Sequence, residues 1–256
     1  MTSISLQPGI IYGPVLSRRL GRSLGINILP TTQKVCSFNC IYCQYGYTSR
    51  YTLKPDPLDL PTISDIIHAV EKALKKPRTI DNLTFSGNGE PTLHPDFPEI
   101  VKAVKELRDR FRPSAKLVLL SNASTIINPK INEIFSLIDT PMLKLDAGDE
   151  ETLRKINQPV ASISFHDITV EMKRIRPPVI QSVLIDGAVS NIHNESYEAW
   201  AKAVASIHPQ IVHIYSTERP TPLTDVKRVS PQILIKIKDD LQTRFDLRVE
   251  AFWQEV

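Results

Sequence analysis

Six short runs rich in β-branched residues recur along the 256 residues, and the stretches between them carry the apolar spacing of helices. The runs are SLGINIL (23–29), NLTFSG (82–87), KLVLLSN (116–122), MLKLDAG (142–148), VIQSVLIDG (179–187) and IVHIYST (211–217). Their lengths and their polar or glycine flanks suit strands. Between them, residues 62–76 place Ile63, Ile66, Ile67, Val70 and Leu74 on one helical stripe, behind Thr62 and Asp65 in capping-box-like spacing. Residues 98–111 repeat the pattern with Ile100, Val101, Val104, Leu107 and Phe111, and Asn128-Pro129 opens a third helix with a cap and a first-turn proline. Further helices are expected near 165–175, 195–207 and 230–242. Strand then helix, repeated, argues for an α/β chain of parallel strands with right-handed crossovers. A closed or partly closed barrel and an open doubly wound sheet both satisfy this order. In either, the C-terminal ends of the strands carry the site.

All three cysteines lie within KVCSFNCIYCQYG (34–46), spaced Cys36-x3-Cys40-x2-Cys43. An odd, clustered set argues against a disulfide framework and for metal or redox chemistry in a reducing compartment. Thiolates favour zinc or iron–sulfur clusters. A structural zinc site needs a fourth ligand, yet no cysteine remains and no histidine precedes His68, so only a distant histidine could complete it. A four-iron cluster on three thiolates makes a different sense of the spacing. One iron keeps no protein ligand, so a small molecule can bind there, as at the open position of a catalytic zinc site.

With Tyr42 before the last cysteine, this motif resembles the signature of radical S-adenosylmethionine (SAM) enzymes. The resemblance implies that Cys36, Cys40 and Cys43 ligate a [4Fe-4S] cluster whose open iron chelates the methionyl amine and carboxylate of SAM. It implies that an electron from the cluster splits the sulfonium to a 5′-deoxyadenosyl radical, which abstracts hydrogen from a substrate. The fold it implies is a partial (β/α)6 TIM-like barrel of parallel strands with outer helices. Cleaving a sulfonium needs the low end of the roughly −700 to +450 mV range of cluster potentials, so a flavodoxin or ferredoxin is the expected electron donor.

The strand ends agree with the resemblance. The second run closes in SGNGEP, where Gly87, Asn88, Gly89 and Glu90 are similar to the family's glycine–glycine–glutamate motif; glycines let backbone carbonyls approach an ammonium group closely. Ser121 and Asn122 end the third run with side chains able to bond a carboxylate or ribose. Lys144 and Asp146 share a face of the fourth by its two-residue period; the resemblance places Asp146 near the adenosyl ribose and Lys144 near substrate or the methionyl carboxylate. Gly187, with Val189 after it, and Tyr215 resemble contacts to adenine. Each position also has a structural alternative: a strand-to-helix turn, a cap, a Lys–Asp pair or a packed aromatic.

The resemblance spans most of the chain, from the cysteine loop through the sixth run, and the chain reads as a single radical SAM domain over 1–256, with an N-terminal subfamily segment and first strand (1–30), a barrel core (31–217) and a C-terminal loop, helix and strand (218–256). The segment YGPVLSRRLGRSLGIN resembles a hallmark of a stand-alone branch whose proteins are similar to tRNA wyosine-synthesis enzymes and molybdopterin-precursor cyclases, and its Ser17, Arg18, Arg19 and Arg22 suit an anionic substrate or partner. Both of those enzyme types use a second cluster for which this sequence has no further cysteines. A tRNA base-modifying enzyme, a glycyl-radical activase and, from another class, a non-enzymatic metal- or RNA-binding module compete with a radical enzyme acting on RNA or a small molecule. A formal charge of +3 neither requires nor excludes nucleic acid. No apolar run approaches the roughly 18 residues of a membrane span, and the first residues lack a leader pattern, so a cytoplasmic protein without membrane partners is expected.

Overall fold

In the computed structural model, which describes residues 3–175 and 177–254, all six β-branched runs contain strands. The chain divides into two compact units.

The first unit comprises Ser5–Ser37 and Thr48–Pro141. It contains β1 (Ile11–Ser17), β2 (Gly21–Ile26), β3 (Val35–Cys36), β4 (Arg50–Tyr51), α1 (Ile63–Leu74), β5 (Asn82–Phe85), α2 (Phe97–Phe111), β6 (Lys116–Ser121) and α3 (Pro129–Ile134). Its four longer strands run in the order β1-β2-β5-β6, with β2, β5 and β6 parallel and β1 antiparallel to β2. The antiparallel β1 is a departure from the strand–helix alternation: a turn at residues 18–20 folds the N-terminal segment back as a hairpin. The helix signals act as their chemistry dictates. Thr62 Oγ1 accepts from Asp65 N at 3.1 Å and donates to its carboxylate at 2.7 Å, and the Asn128 side chain accepts from Lys130 N at 3.1 Å, with Pro129 in the first turn. On α2 the expected stripe holds at Ile100, Val101 and Val104, but Leu107 and Phe111 are only half-buried. Arg108 takes the inner position instead, donating to Ala115 O at 2.7 Å and pairing with Asp139 at 2.5 Å. Burying this guanidinium is tolerable because it is paired and hydrogen-bonded.

The second unit comprises Phe38–Tyr47 and the described residues of Met1–Ile4 and Met142–Val256. Here lie most of β7 (Thr140–Lys144), then α4 (Glu150–Ile156), α5 (Phe165–Met172), β8 (Val179–Val183), β9 (Ile185–Gly187), α6 (Asn194–Ile207), β10 (Ile211–Tyr215), β11 (Val226–Arg228), α7 (Pro231–Phe245) and β12 (Val249–Phe252). The order is β7-β8-β10-β12, every pair parallel. Trp200 of α6 is fully buried and donates to Leu145 O at 2.9 Å. The run expected as one strand over 179–187 is broken after Val183. Asn191 donates to Val183 O at 2.9 Å and accepts from Ile185 N at 2.8 Å, taking the backbone groups a continuing ladder would use. Residues 185–187 pair instead with β11 in an antiparallel ladder. No helix among the described residues is long and apolar enough to cross a membrane.

Candidate active site

The cysteine loop begins in the first unit. Val35 and Cys36 form β3, held by Val35 N donating to Asn88 O at 2.9 Å and Glu90 N donating to Val35 O at 3.2 Å. The SGNGEP turn is thus bound to the strand that carries the first cysteine. Gly89 shows why glycine stands there: its φ is +141°, and a Cβ would lie 1.6 Å from Val35 O. Asn88 is fully buried and its side chain is used within the fold, donating to Gln7 O at 3.0 Å and Pro30 O at 2.9 Å while accepting from Gln7 N at 2.7 Å.

Glu90 is 2% exposed and gathers donors. Oε1 accepts from Ser121 Oγ at 2.8 Å and Thr92 Oγ1 at 2.6 Å; Oε2 accepts from Asn122 N at 2.6 Å. Burial pushes this carboxyl above its ordinary range, and the bonds pull the other way. Asn122 in turn donates from Nδ2 to Ser37 Oγ at 3.0 Å and to Cys36 Sγ at 3.6 Å, and its Oδ1 accepts from Ser124 N at 2.9 Å. Gly87, Asn88, Gly89, Glu90, Ser121 and Asn122 are therefore one connected framework behind Cys36.

Cys40, Tyr42 and Cys43 belong to the second unit. Ile41 N donates to Ile156 O at 3.0 Å and Asn39 N to Asn157 O at 3.0 Å, so the end of α4 holds the loop. Asp146, 1% exposed, follows β7 and accepts from Val183 N at 2.7 Å, from Asn157 Nδ2 at 2.7 Å and from the Tyr42 hydroxyl. Lys144 Nζ stands 3.7 Å from the Asp146 carboxylate, 5.2 Å above the Tyr42 ring and 5.8 Å from that of Tyr215. Burial, with the Asp146 charge beside it, holds the Tyr42 phenol well above its usual range, and burial raises the Cys40 thiol. Lys144, Asp146, Tyr42 and Tyr215 thus come together. Gly187 does not join them: it sits on the β9–β11 ladder at φ +120°, where a Cβ would lie 2.0 Å from Asp225 O.

Asn157 was not expected from the sequence. It is 1% exposed, directly after α4, and its Nδ2 also reaches Cys40 Sγ at 3.4 Å and Tyr42 Oη at 3.1 Å. Its Oδ1 is buried with no hydrogen-bond partner among the described residues. The signal that could have found it is local: Asp149 as cap, acids at 150 and 151, and bases at 154 and 155 mark a short helix ending at residue 156.

Residues 31–172 match the family model of the Radical SAM superfamily. The chain belongs to the radical SAM superfamily. Radical SAM enzymes use a [4Fe-4S] cluster and SAM, and they require a reductant and a substrate. A UPF0026 protein of Synechocystis sp. is 33% identical over 216 residues, covering 83% of this chain and 77% of the relative. A protein named GTPase Obg from Brachyspira hyodysenteriae is 28% identical over 253 residues, 98% of this chain but 36% of that one. The chain spans about a third to a half of the length of the first curated relatives it matches. Among solved structures, a radical SAM methyltransferase from Sphaerobacter thermophilus superposes with a TM-score of 0.67 at 16% identity, covering 91% of this chain and 67% of that one. Likeness at that identity shows the fold alone, the partial-barrel α/β class of radical SAM enzymes.

The residues present fit the superfamily's cofactors. Among the described residues no three His, Cys, Asp or Glu side chains are grouped as ligands of one metal ion. A cluster makes a different demand, since each thiolate binds a different iron. Three thiols within eight residues of sequence supply the donor chemistry for it. The orphaned, buried Asn157 Oδ1 beside Cys40 is an acceptor suited to a ligand bearing N–H or O–H groups.

Proposed function

We propose that this chain is a one-cluster radical SAM enzyme whose Cys36, Cys40 and Cys43 hold a [4Fe-4S] cluster and whose strand ends seat SAM, residues 1–256 acting as one radical SAM domain. When bound, the cluster and SAM supply reductive cleavage of the sulfonium and a carbon radical that takes hydrogen from substrate. The observation that carries this reading is a buried amide donor at each of two of the three thiols: Asn122 Nδ2 reaches Cys36 Sγ at 3.6 Å in the first unit, and Asn157 Nδ2 reaches Cys40 Sγ at 3.4 Å in the second.

The surrounding residues have distinct roles in it. Gly87 and Gly89 keep the turn after β5 free of side chains and let Val35 approach. Glu90 fixes Ser121 and Asn122, and the four bonds it accepts leave it a brace for that framework. Lys144 supplies the positive charge that a carboxylate-bearing ligand needs, while Asp146 keeps the ammonium on the Tyr42 and Tyr215 side. Burial on this scale excludes water from the reacting centre. A flavodoxin or ferredoxin is the fitting reductant in the cytoplasm, and the substrate is an RNA or a small molecule; the three cysteines of these 256 residues suffice for one cluster.

Comparison of the wild-type chain with Cys40→Ala under anaerobic reconstitution tests this. Wild type should bind iron and sulfide and form 5′-deoxyadenosine from SAM on reduction; the variant should do neither while keeping its circular dichroism. Equal iron content and equal turnover in the variant would reject the reading.

A further inference from the structure

The same device occurs in each of the two units. In the first, a buried carboxylate, Glu90, holds Asn122 through its main-chain nitrogen at 2.6 Å, and the Asn122 amide is directed at Cys36 Sγ at 3.6 Å. In the second, a buried carboxylate, Asp146, holds Asn157 through Nδ2 at 2.7 Å, and the same amide reaches Cys40 Sγ at 3.4 Å. Both distances suit N–H···S contacts, which are longer than bonds to oxygen because sulfur is larger. Neither asparagine lies in the cysteine motif: one follows β6 and the other follows α4.

The orientation of each amide is set by its neighbours. Asn122 Oδ1 is occupied by Ser124 N, so the NH2 group faces Ser37 and Cys36. Asn157 must turn its NH2 group to Asp146, because a carboxylate only accepts. Its two hydrogens then serve three acceptors, one going to Asp146 and the other shared between Cys40 Sγ and Tyr42 Oη. Both side chains are buried, so water does not replace these donors.

Resting on the assignment of Cys36 and Cys40 as cluster ligands, we infer that Asn122 and Asn157 are positioning residues that tune the cluster's reduction potential by donating N–H groups to the two sulfurs, held in place by Glu90 and Asp146. A thiolate ligand becomes more electron-rich on reduction, so a donor at its sulfur stabilises the reduced state more than the oxidised one and raises the potential. The low local dielectric strengthens the effect. The chain thereby sets how strong a reductant is required to drive it.

The test is an EPR-monitored redox titration of the reconstituted wild-type chain and of Asn122→Leu, Asn157→Leu and the double variant, with iron content and circular dichroism recorded for each. Leucine nearly preserves volume and removes the donor. Each single variant should keep its iron and shift to a more negative midpoint, equivalent to roughly tenfold in the one-electron equilibrium constant, about 59 mV. The double variant should lie more negative than either single variant, since each amide acts on a different sulfur of the same cluster. A wild-type midpoint in either cluster-loaded variant would overturn the inference. Loss of iron from both variants with the fold intact would also overturn it, by showing that the amides hold the cluster without tuning it. A wild-type chain that takes up no cluster would instead sink the assignment of the cysteines themselves.

Discussion

Gly89 lies directly against the main-chain carbonyl of Val35: a Cβ at 89 would come within 1.6 Å of that oxygen, and the backbone there has φ +141°. Val35 precedes the first cysteine, so this contact fixes where the cysteine loop starts. Gly89→Ala cannot be accommodated by rotating a side chain, because the obstructing atom is backbone. The substitution is expected to cost about 2 kcal/mol or more in urea unfolding and to lower iron uptake on reconstitution. Unchanged stability would show that the turn after β5 is free to move.

Glu90 accepts four bonds and donates none. Glu90→Gln keeps the shape but turns an NH2 group towards groups that are themselves donors. It is expected to destabilise by about 1–3 kcal/mol, in proportion to the buried donors left unpaired. Thermal and urea unfolding measure this; a neutral result would mean that Ser121 and Asn122 hold their places without the carboxylate.

Asp146→Ala strips the acceptor from Val183 N, Asn157 Nδ2 and the Tyr42 hydroxyl and removes the carboxylate beside Lys144. A loss of about 3 kcal/mol is expected for such a buried group. SAM affinity, measured on the iron-loaded protein, should fall as well, since Tyr42 and Lys144 lose their anchor. Unchanged affinity with iron retained would confine Asp146 to a structural role.

The sequence made some of this legible and hid the rest for physical reasons. Strands such as Asn82–Phe85 and Ile211–Tyr215 follow from β-branched composition, and the Thr62 and Asn128 caps from local hydrogen-bonding chemistry, all of which act over a few residues. The cysteine spacing and the glycine turn are likewise local. Asn157 escaped because its importance comes from Asp146, 11 residues away, and Cys40, 117 residues away. The break after Val183 escaped for the same reason, depending on the reach of the Asn191 side chain. The antiparallel β1 was obscured by Gly13 and Pro14, which punctuate a strand pattern, and by the outward-facing Val15 and Leu16. The positive φ of Gly187 and its pairing with Val226 likewise depend on a strand far along the chain.

His94 offers a pH readout apart from the cysteine loop. It is 2% exposed; its Nδ1 accepts from Asp96 N at 3.2 Å, and its Nε2 lies 3.0 Å from Pro61 O, which fixes the neutral Nε2–H tautomer. Burial lowers its pKa below 6.5, against the smaller opposing pull of the Pro61 carbonyl and Asp96. A depressed folded-state value means that the contribution to stability is complete above the unfolded pKa and is lost as pH falls through the folded one. Stability should therefore decline below about pH 6.5, and His94→Asn, which can keep the turn bond to residue 96 without titrating there, should flatten that slope. Parallel pH profiles for the two proteins would contradict the assignment.

The central claim is that three thiols hold a cluster with one iron free for SAM. EPR of the reduced, anaerobically reconstituted chain, recorded with and without SAM, tests it directly. The account expects about four irons per chain, a reduced-cluster signal, and a change in that signal when SAM is added. A protein that binds no cluster, or a cluster signal indifferent to SAM, would contradict it.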